Sequence, residues 1–131
     1  MTGVLHHVEI YVRDLRPSRE FWSWLLKRLG YTLFQAWDGG FSYLLGETYI
    51  VFVQAEQRFL DIPYHRCRAG LNHLAFHADS RDCVDEITSE LRSKGITILY
   101  EDRHPYAGGD DYYAVFFEDP DRMKVEITAA T

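Results

Sequence analysis

Two histidines and one carboxylate stand out by type and position: His7 opens a strand-like run, His73 opens a second run of the same kind, and Glu126 lies in a third near the end of the chain. Side chains alternate across an extended strand, so His7, Glu9 and Tyr11 share one face while Val8, Ile10 and Val12 share the other. The same split sets His73, Ala75 and His77 against Leu74, Phe76 and Ala78, and Lys124, Glu126 and Thr128 against Met123, Val125 and Ile127. A polar side chain on the interior face of a sheet is costly unless it finds a hydrogen bond, an ion partner or a metal. One reading is that His7, His73 and Glu126 hydrogen-bond one another inside a wet cavity. The other is that two imidazoles and a carboxylate hold a divalent transition metal (Mn, Fe, Ni, Zn or Co), leaving open positions for water or substrate. The matched placement of the two histidines favours the metal. Beside such a centre, Glu126 is a catalytic carboxylate as well as a ligand, and Glu9, Tyr11 and His77 are the candidates for proton transfer. Glu9 is about 6.7 Å from His7 by strand rise, within reach of a supporting role, whereas His77 is about 13 Å from His73 and outside the same metal shell. Each of the three could equally be a hydrogen-bonded wall residue.

The elements that must position these groups repeat once. LHHVEIYVRDL at 5–15 returns as LNHLAFHADSR at 71–81, aligned through His7 and His73. Each copy leads into a helical pattern. The first spans about 15–29, capped by Asp14, with Pro17 near its start, Phe21, Trp22, Leu25, Leu26 and Leu29 on one face, and Gly30 as its stop. The second spans about 81–94, capped by Ser80, with acidic residues early, Arg92 and Lys94 late, Val84, Ile87 and Leu91 buried, and Gly95 as its stop. A strand follows each glycine, YTLFQAW at 31–37 and ITILY at 96–100. Two more follow in each half: FSYLLG and TYIVFVQ in the first, DYYAVFFE and RMKVEIT in the second, the last two joined by Asp119-Pro120-Asp121. Both halves therefore read βαβββ, an α+β architecture in one domain with modules at about 4–54 and 71–129. The aperiodic, Pro63-containing stretch 55–70 is the connection. Neither module can bury a sheet face alone, so the two are expected to close their polar faces into a cup, or to exchange them between subunits.

Composition narrows the function classes. The 131 residues are 47% apolar and 15% aromatic with a formal net charge of -6, which describes a folded globular domain without a basic stripe for nucleic acid. Apolar runs are too short to cross a membrane, and the first ten residues lack the pattern of a secretion signal, which predicts a cytoplasmic protein. Cys67 and Cys83 are outside any metal-binding spacing and read as free thiols. The loop EDRHPYAGGDD at 101–111 is the expected lid, with Arg103, His104 and Tyr106 as substrate contacts. Tyr64, His65 and Arg66 suit either a subunit or a substrate contact, and Trp24, off the core stripe of its helix, suits a homodimer interface.

HVEIYVRDL at 7–15, the FW-x-x-L-x-x-x-LGY stretch ending at Tyr31, HLAF at 73–76 and FFEDPDRMKVEI at 116–127 together resemble the vicinal oxygen chelate superfamily over nearly the whole chain. This group includes glyoxalases, bleomycin-resistance proteins and extradiol dioxygenases. The resemblance implies metal ligands at His7, His73 and Glu126, and a homodimer in which the first half of one subunit can complete the site of the other. Glyoxalase I enzymes add a glutamate from the first half. Aligning IVFV at 50–53 with that strand puts Phe52 in its place, as a wall of the substrate site, so the proton shuttle of glyoxalase I lacks its usual base. The expected function is a metal-dependent enzyme of lyase, isomerase or transferase type acting on a small oxygen-rich metabolite or xenobiotic. Two alternatives stand beside it: a metal-free protein that sequesters small molecules, as bleomycin-resistance relatives do, and a ferrous ring-cleaving dioxygenase.

Overall fold

The computed structural model describes residues 1–130. The chain divides into two units, Met1–Pro63 and Tyr64 onward, each containing one four-stranded sheet and one α-helix. The connection expected at 55–70 is shared between them. Arg13 donates to the Leu60 carbonyl at 2.9 Å and ties the earlier part to the first unit. Arg66 meets Glu118 at 2.7 Å and ties the later part to the second.

In the first unit β1 (His7–Val12), α1 (Leu15–Arg28), β2 (Thr32–Trp37), β3 (Gly40–Leu45) and β4 (Thr48–Gln54) form a sheet of order β1-β4-β3-β2, with β1 and β4 parallel. Asp14 caps α1 by accepting from the Arg16 amide at 3.1 Å. Phe21, Trp22, Leu25 and Leu26 recur at helical spacing and are buried, so one face of α1 covers one face of the sheet. Beneath it Phe52 is fully buried, its ring 4.8 Å from Trp22 and 5.1 Å from Phe41. Trp24 is half-buried, with its edge toward Phe21.

The second unit repeats this order with β5 (His73–Ala78), α2 (Arg81–Ser93), β6 (Ile98–Leu99), β7 (Ala114–Glu118) and β8 (Lys124–Ala129), arranged β5-β8-β7-β6. Ser80 caps α2 through the Cys83 amide, and Val84, Ile87 and Leu91 bury its inner face against the sheet. The strand expected at 96–100 shrinks to two residues; it ends at Leu99 because Tyr100 adopts φ 57°, and the Tyr100 carbonyl then receives the amides of Arg103 and His104. The next strand starts later than the sequence suggests, since the Tyr112 amide turns back to Gly109 and the Ala114 amide to Pro105.

Tyr113 leaves this turn to donate its hydroxyl hydrogen bond to Asp85 on α2, while the Arg81 guanidinium lies 4.8 Å from its ring centre. The bond to Asp85 is the chief reason its phenol is pushed up from 10.0 to about 12. A raised folded-state value means this bond stabilises the fold fully below about pH 10 and is lost as pH rises through about 12. The stability gap between wild type and Tyr113→Phe, read as denaturation midpoints, is therefore expected to be constant up to about pH 9 and to close above it.

Candidate functional site

The second unit assembles a site on the sheet face opposite α2. Register pairs His73 with Lys124, Ala75 with Glu126 and His77 with Thr128, so all their side chains project to one side. On β7, Phe116 stands beside Glu126 and Glu118 beside Lys124 on that same side. Glu126 is only 3% exposed. A buried carboxylate needs partners, and it has two: the Tyr112 hydroxyl donates to Oε2, and His73 Nε2 lies 3.2 Å from Oε1. The same Tyr112–Glu126 bond, followed by burial, raises the Tyr112 phenol above its ordinary value. Gly108 makes room for this tyrosine, since a Cβ there would meet the Tyr112 ring at 2.5 Å.

The tautomer of His73 decides what this pair can hold. Its Nδ1 lies 2.7 Å from Asn72 Oδ1, and in the neutral tautomer that carries its proton on Nδ1 this nitrogen donates to Asn72 and Nε2 is bare. A bare imidazole nitrogen then faces a carboxylate oxygen, two acceptors that require a cation between them or an added proton on the ring. The spacing suits a metal. Atoms each about 2.1 Å from one cation lie about 3.0 to 3.4 Å apart across an octahedral or tetrahedral edge, which brackets the observed 3.2 Å. A carbonyl oxygen bound to the far ring nitrogen is also the usual way metal-binding histidines are oriented.

His7 belongs to the first unit, on the face opposite α1. It is exposed, its ring stacks on Tyr49 at 4.8 Å, and its Nδ1 is 2.9 Å from Nδ1 of His6. Glu9 and the 64% exposed Tyr11 share that face. Among the described residues no group of three His, Cys, Asp or Glu side chains is gathered tightly enough to hold a metal ion. The chain brings together His73 and Glu126 from the expected triad. His77 is exposed on the His73 face, farther along the strand.

Phe52 is not a wall of this site. Its register partner is Ile10, whose side chain points toward α1, and its ring fills the core between Trp22 and Phe41. The two parallel pairs show which residue takes the place expected of it: Glu126 is opposite Ala75, two residues past His73, and Val51 is opposite Glu9, two residues past His7. A one-residue shift in a strand reverses the face, so Val51 is the first-unit counterpart of Glu126. The conclusion that no carboxylate stands there is unchanged.

The loop expected to act as a lid is bound into turns, with amide bonds from Tyr106 to Arg103, Gly109 to Tyr106 and Tyr112 to Gly109. His104 and Tyr106 do not join Glu126. The Tyr106 hydroxyl accepts from Arg81 of α2 at 3.4 Å, and burial, then the Arg92 charge, lowers the His104 pKa. Arg103 lies on the Tyr100 ring, 5.1 Å from its centre. Asn72, Tyr112 and Tyr100 were given no role in the sequence reading, and Lys124 was placed on the face of Glu126 without one. Lys124 was legible by alternation from Glu126, whereas the reach of Tyr112 depends on a turn whose path no periodicity encodes.

The sequence pattern of the Glyoxalase/Bleomycin resistance protein/Dioxygenase superfamily matches residues 4–127, and the chain belongs to this superfamily. It is 58% identical to the uncharacterised protein YqjT of Bacillus subtilis (strain 168) over 125 residues, 95% of this chain and 98% of that one. It is 28% identical to the glutathione transferase FosA of Serratia marcescens over 127 residues, 97% of this chain and 81% of that one. Among crystal structures, a glyoxalase-type protein from Bacillus halodurans superposes with a TM-score of 0.97 at 60% identity, covering 98% of this chain and 96% of its own. Lactoylglutathione lyase from Agrobacterium tumefaciens shares the fold, with a TM-score of 0.67 at 19% identity over 99% of this chain and 95% of that one. Members of this superfamily are commonly metalloenzymes. No helix among the described residues is long and apolar enough to cross a membrane.

Proposed function

We propose that this protein is a metal-dependent enzyme acting on a small oxygen-rich metabolite or xenobiotic. The ligands are His73, Glu126 and His7, the last drawn from the same chain or from a second copy in a homodimer. The observation that carries this reading is Nε2 of His73 set 3.2 Å from a buried carboxylate oxygen. A divalent cation there would bind two neighbouring substrate oxygens and stabilise negative charge developing on one of them. Asn72 holds the imidazole in the binding tautomer, and Tyr112 occupies Oε2 so that Oε1 faces His73. Glu9 and Tyr11, on the face of His7, are the groups placed to move a proton. Val51, where a second carboxylate would stand, argues against isomerisation of the glyoxalase I kind.

Group transfer to a thiol is the reaction favoured by the likeness to a glutathione transferase. Protein purified without chelator or affinity tag is expected to carry about one divalent metal ion per chain and to gain thermal stability on metal addition. Metal-free protein with no such gain would leave the sequestering role, for which the exposed Phe34 and Trp37 provide stacking surface. Oxygen uptake with catechols after anaerobic ferrous loading would instead mark a ring-cleaving dioxygenase.

A further inference from the structure

The residue just before each of the two repeated histidines touches its Nδ1. In the second unit Asn72 Oδ1 is 2.7 Å from His73 Nδ1, and in the first unit His6 Nδ1 is 2.9 Å from His7 Nδ1. The repeats LHHVEIYVRDL and LNHLAFHADSR align His6 with Asn72, so the two contacts occupy the same place in the two copies. Asn72 Oδ1 can only accept, whereas His6 Nδ1 can accept or donate. Two bare ring nitrogens at 2.9 Å would repel and two N–H groups would clash, so one proton lies between the neutral rings. If His6 supplies it, the proton of His7 sits on Nε2, which then cannot bind a metal. If His7 supplies it, His7 Nε2 is bare.

Several contacts hold the two rings in this arrangement. His6 precedes β1, and alternation carried back by one residue would turn its ring to the face of Val8. Instead it lies edge-on to His7 at 5.1 Å and to Tyr49 at 5.4 Å, while the His7 ring stacks on Tyr49 at 4.8 Å. Tyr49 is the register partner of His7 on β4. The chain leading into β1 is tied to the same strand: the Leu5 carbonyl accepts from Thr48 Oγ1 at 2.9 Å, and the His6 carbonyl from the Tyr49 amide at 3.2 Å. Backbone and ring contacts together fix where His6 Nδ1 is offered, although both imidazoles are open to solvent.

We infer that His6 is a positioning residue: its Nδ1 accepts from His7 Nδ1–H and so sets the His7 tautomer in which Nε2 is bare and able to bind a divalent metal. Asn72 serves His73 in the same way, so each copy of the repeat supplies one imidazole ligand and the acceptor that orients it. The role rests on the metal-dependent reading above for what Nε2 binds, and not for the tautomer itself. Partners that orient a metal-binding histidine are worth about 10- to 100-fold in metal affinity.

The test has two readouts on the full chain. Side-chain nitrogen NMR of the metal-free protein at about pH 8.5, where an ordinary imidazole is neutral, is expected to show His7 protonated on Nδ1 and bare on Nε2. His6→Leu is expected to lose that preference. Cobalt(II) titration, followed by the visible absorption of the bound ion, should show binding about 10- to 100-fold weaker in His6→Leu. His6→Asn gives the first copy the acceptor that the second copy uses and should restore most of the lost affinity, whereas a merely structural role of the imidazole would be lost in both variants. A wild-type His7 with its proton on Nε2, unchanged cobalt affinity in His6→Leu, or His6→Asn as weak as His6→Leu overturns the inference. If the wild type binds no cobalt, the metal reading fails and the role of His6 is judged by NMR alone: an Nδ1 proton on His7 that His6→Leu loses upholds it, and one that persists there removes it.

Discussion

His73→Ala is expected to abolish metal retention while the protein stays folded. The imidazole is a ligand only if its Nε2 is unprotonated and aimed, and the contact of Nδ1 with Asn72 Oδ1 aims the ring and favours the tautomer with its proton on Nδ1. Loss of a partner that merely orients a metal-binding histidine weakens affinity about 10- to 100-fold, so loss of the ring itself should exceed about 100-fold. Asn72→Ala provides the intermediate case, within that smaller range. The fold should persist because the His73 side chain is 32% exposed on the open side of the sheet, and Tyr112 still donates to Glu126. Elemental analysis and the rise in Tm on metal addition read the first effect, and far-UV circular dichroism reads the second. Full metal content in His73→Ala would show that the ligand assignment is wrong.

Phe52→Ala is expected to give the largest stability loss, about 3 to 5 kcal/mol, through the cavity left between Trp22 and Phe41. Phe52→Glu should not fold at all, since a carboxylate under α1 has no donor and no water. Tyr11→Ala, an aromatic truncation on the neighbouring strand, should change stability by no more than about 0.5 kcal/mol because Tyr11 is 64% exposed on the other face. Denaturant midpoints of the three variants separate the faces. A folded, stable Phe52→Glu protein would place residue 52 on the open face and overturn the register described here.

Much of the architecture was legible because it depends on local periodicity. The helices start at Asp14 and Ser80 as the capping side chains require, and the apolar stripes of α1 and α2 are the buried ones. Alternation along the last strand placed Glu126 opposite Val125 and Ile127, and the structure keeps that split. The Phe52 alignment failed for a related reason. IVFV is apolar at every position, so both faces look alike and nothing local marks which one meets the helix; the pairing of Ile10 with Phe52 settles it.

By itself the sequence determined the duplicated βαβββ order, the apolar faces, and the residue types from which a metal centre can be made. These follow from short-range rules of strand alternation, helical spacing and capping, which need no knowledge of distant contacts. Tertiary structure decided that His73 meets Glu126, that Tyr112 and Asn72 fix their orientation, and that His104 and Tyr106 turn to α2 instead. Such pairings join residues far apart in the chain through sheet register and irregular turns. Their energy depends on three-dimensional distance and burial, quantities that no local pattern encodes.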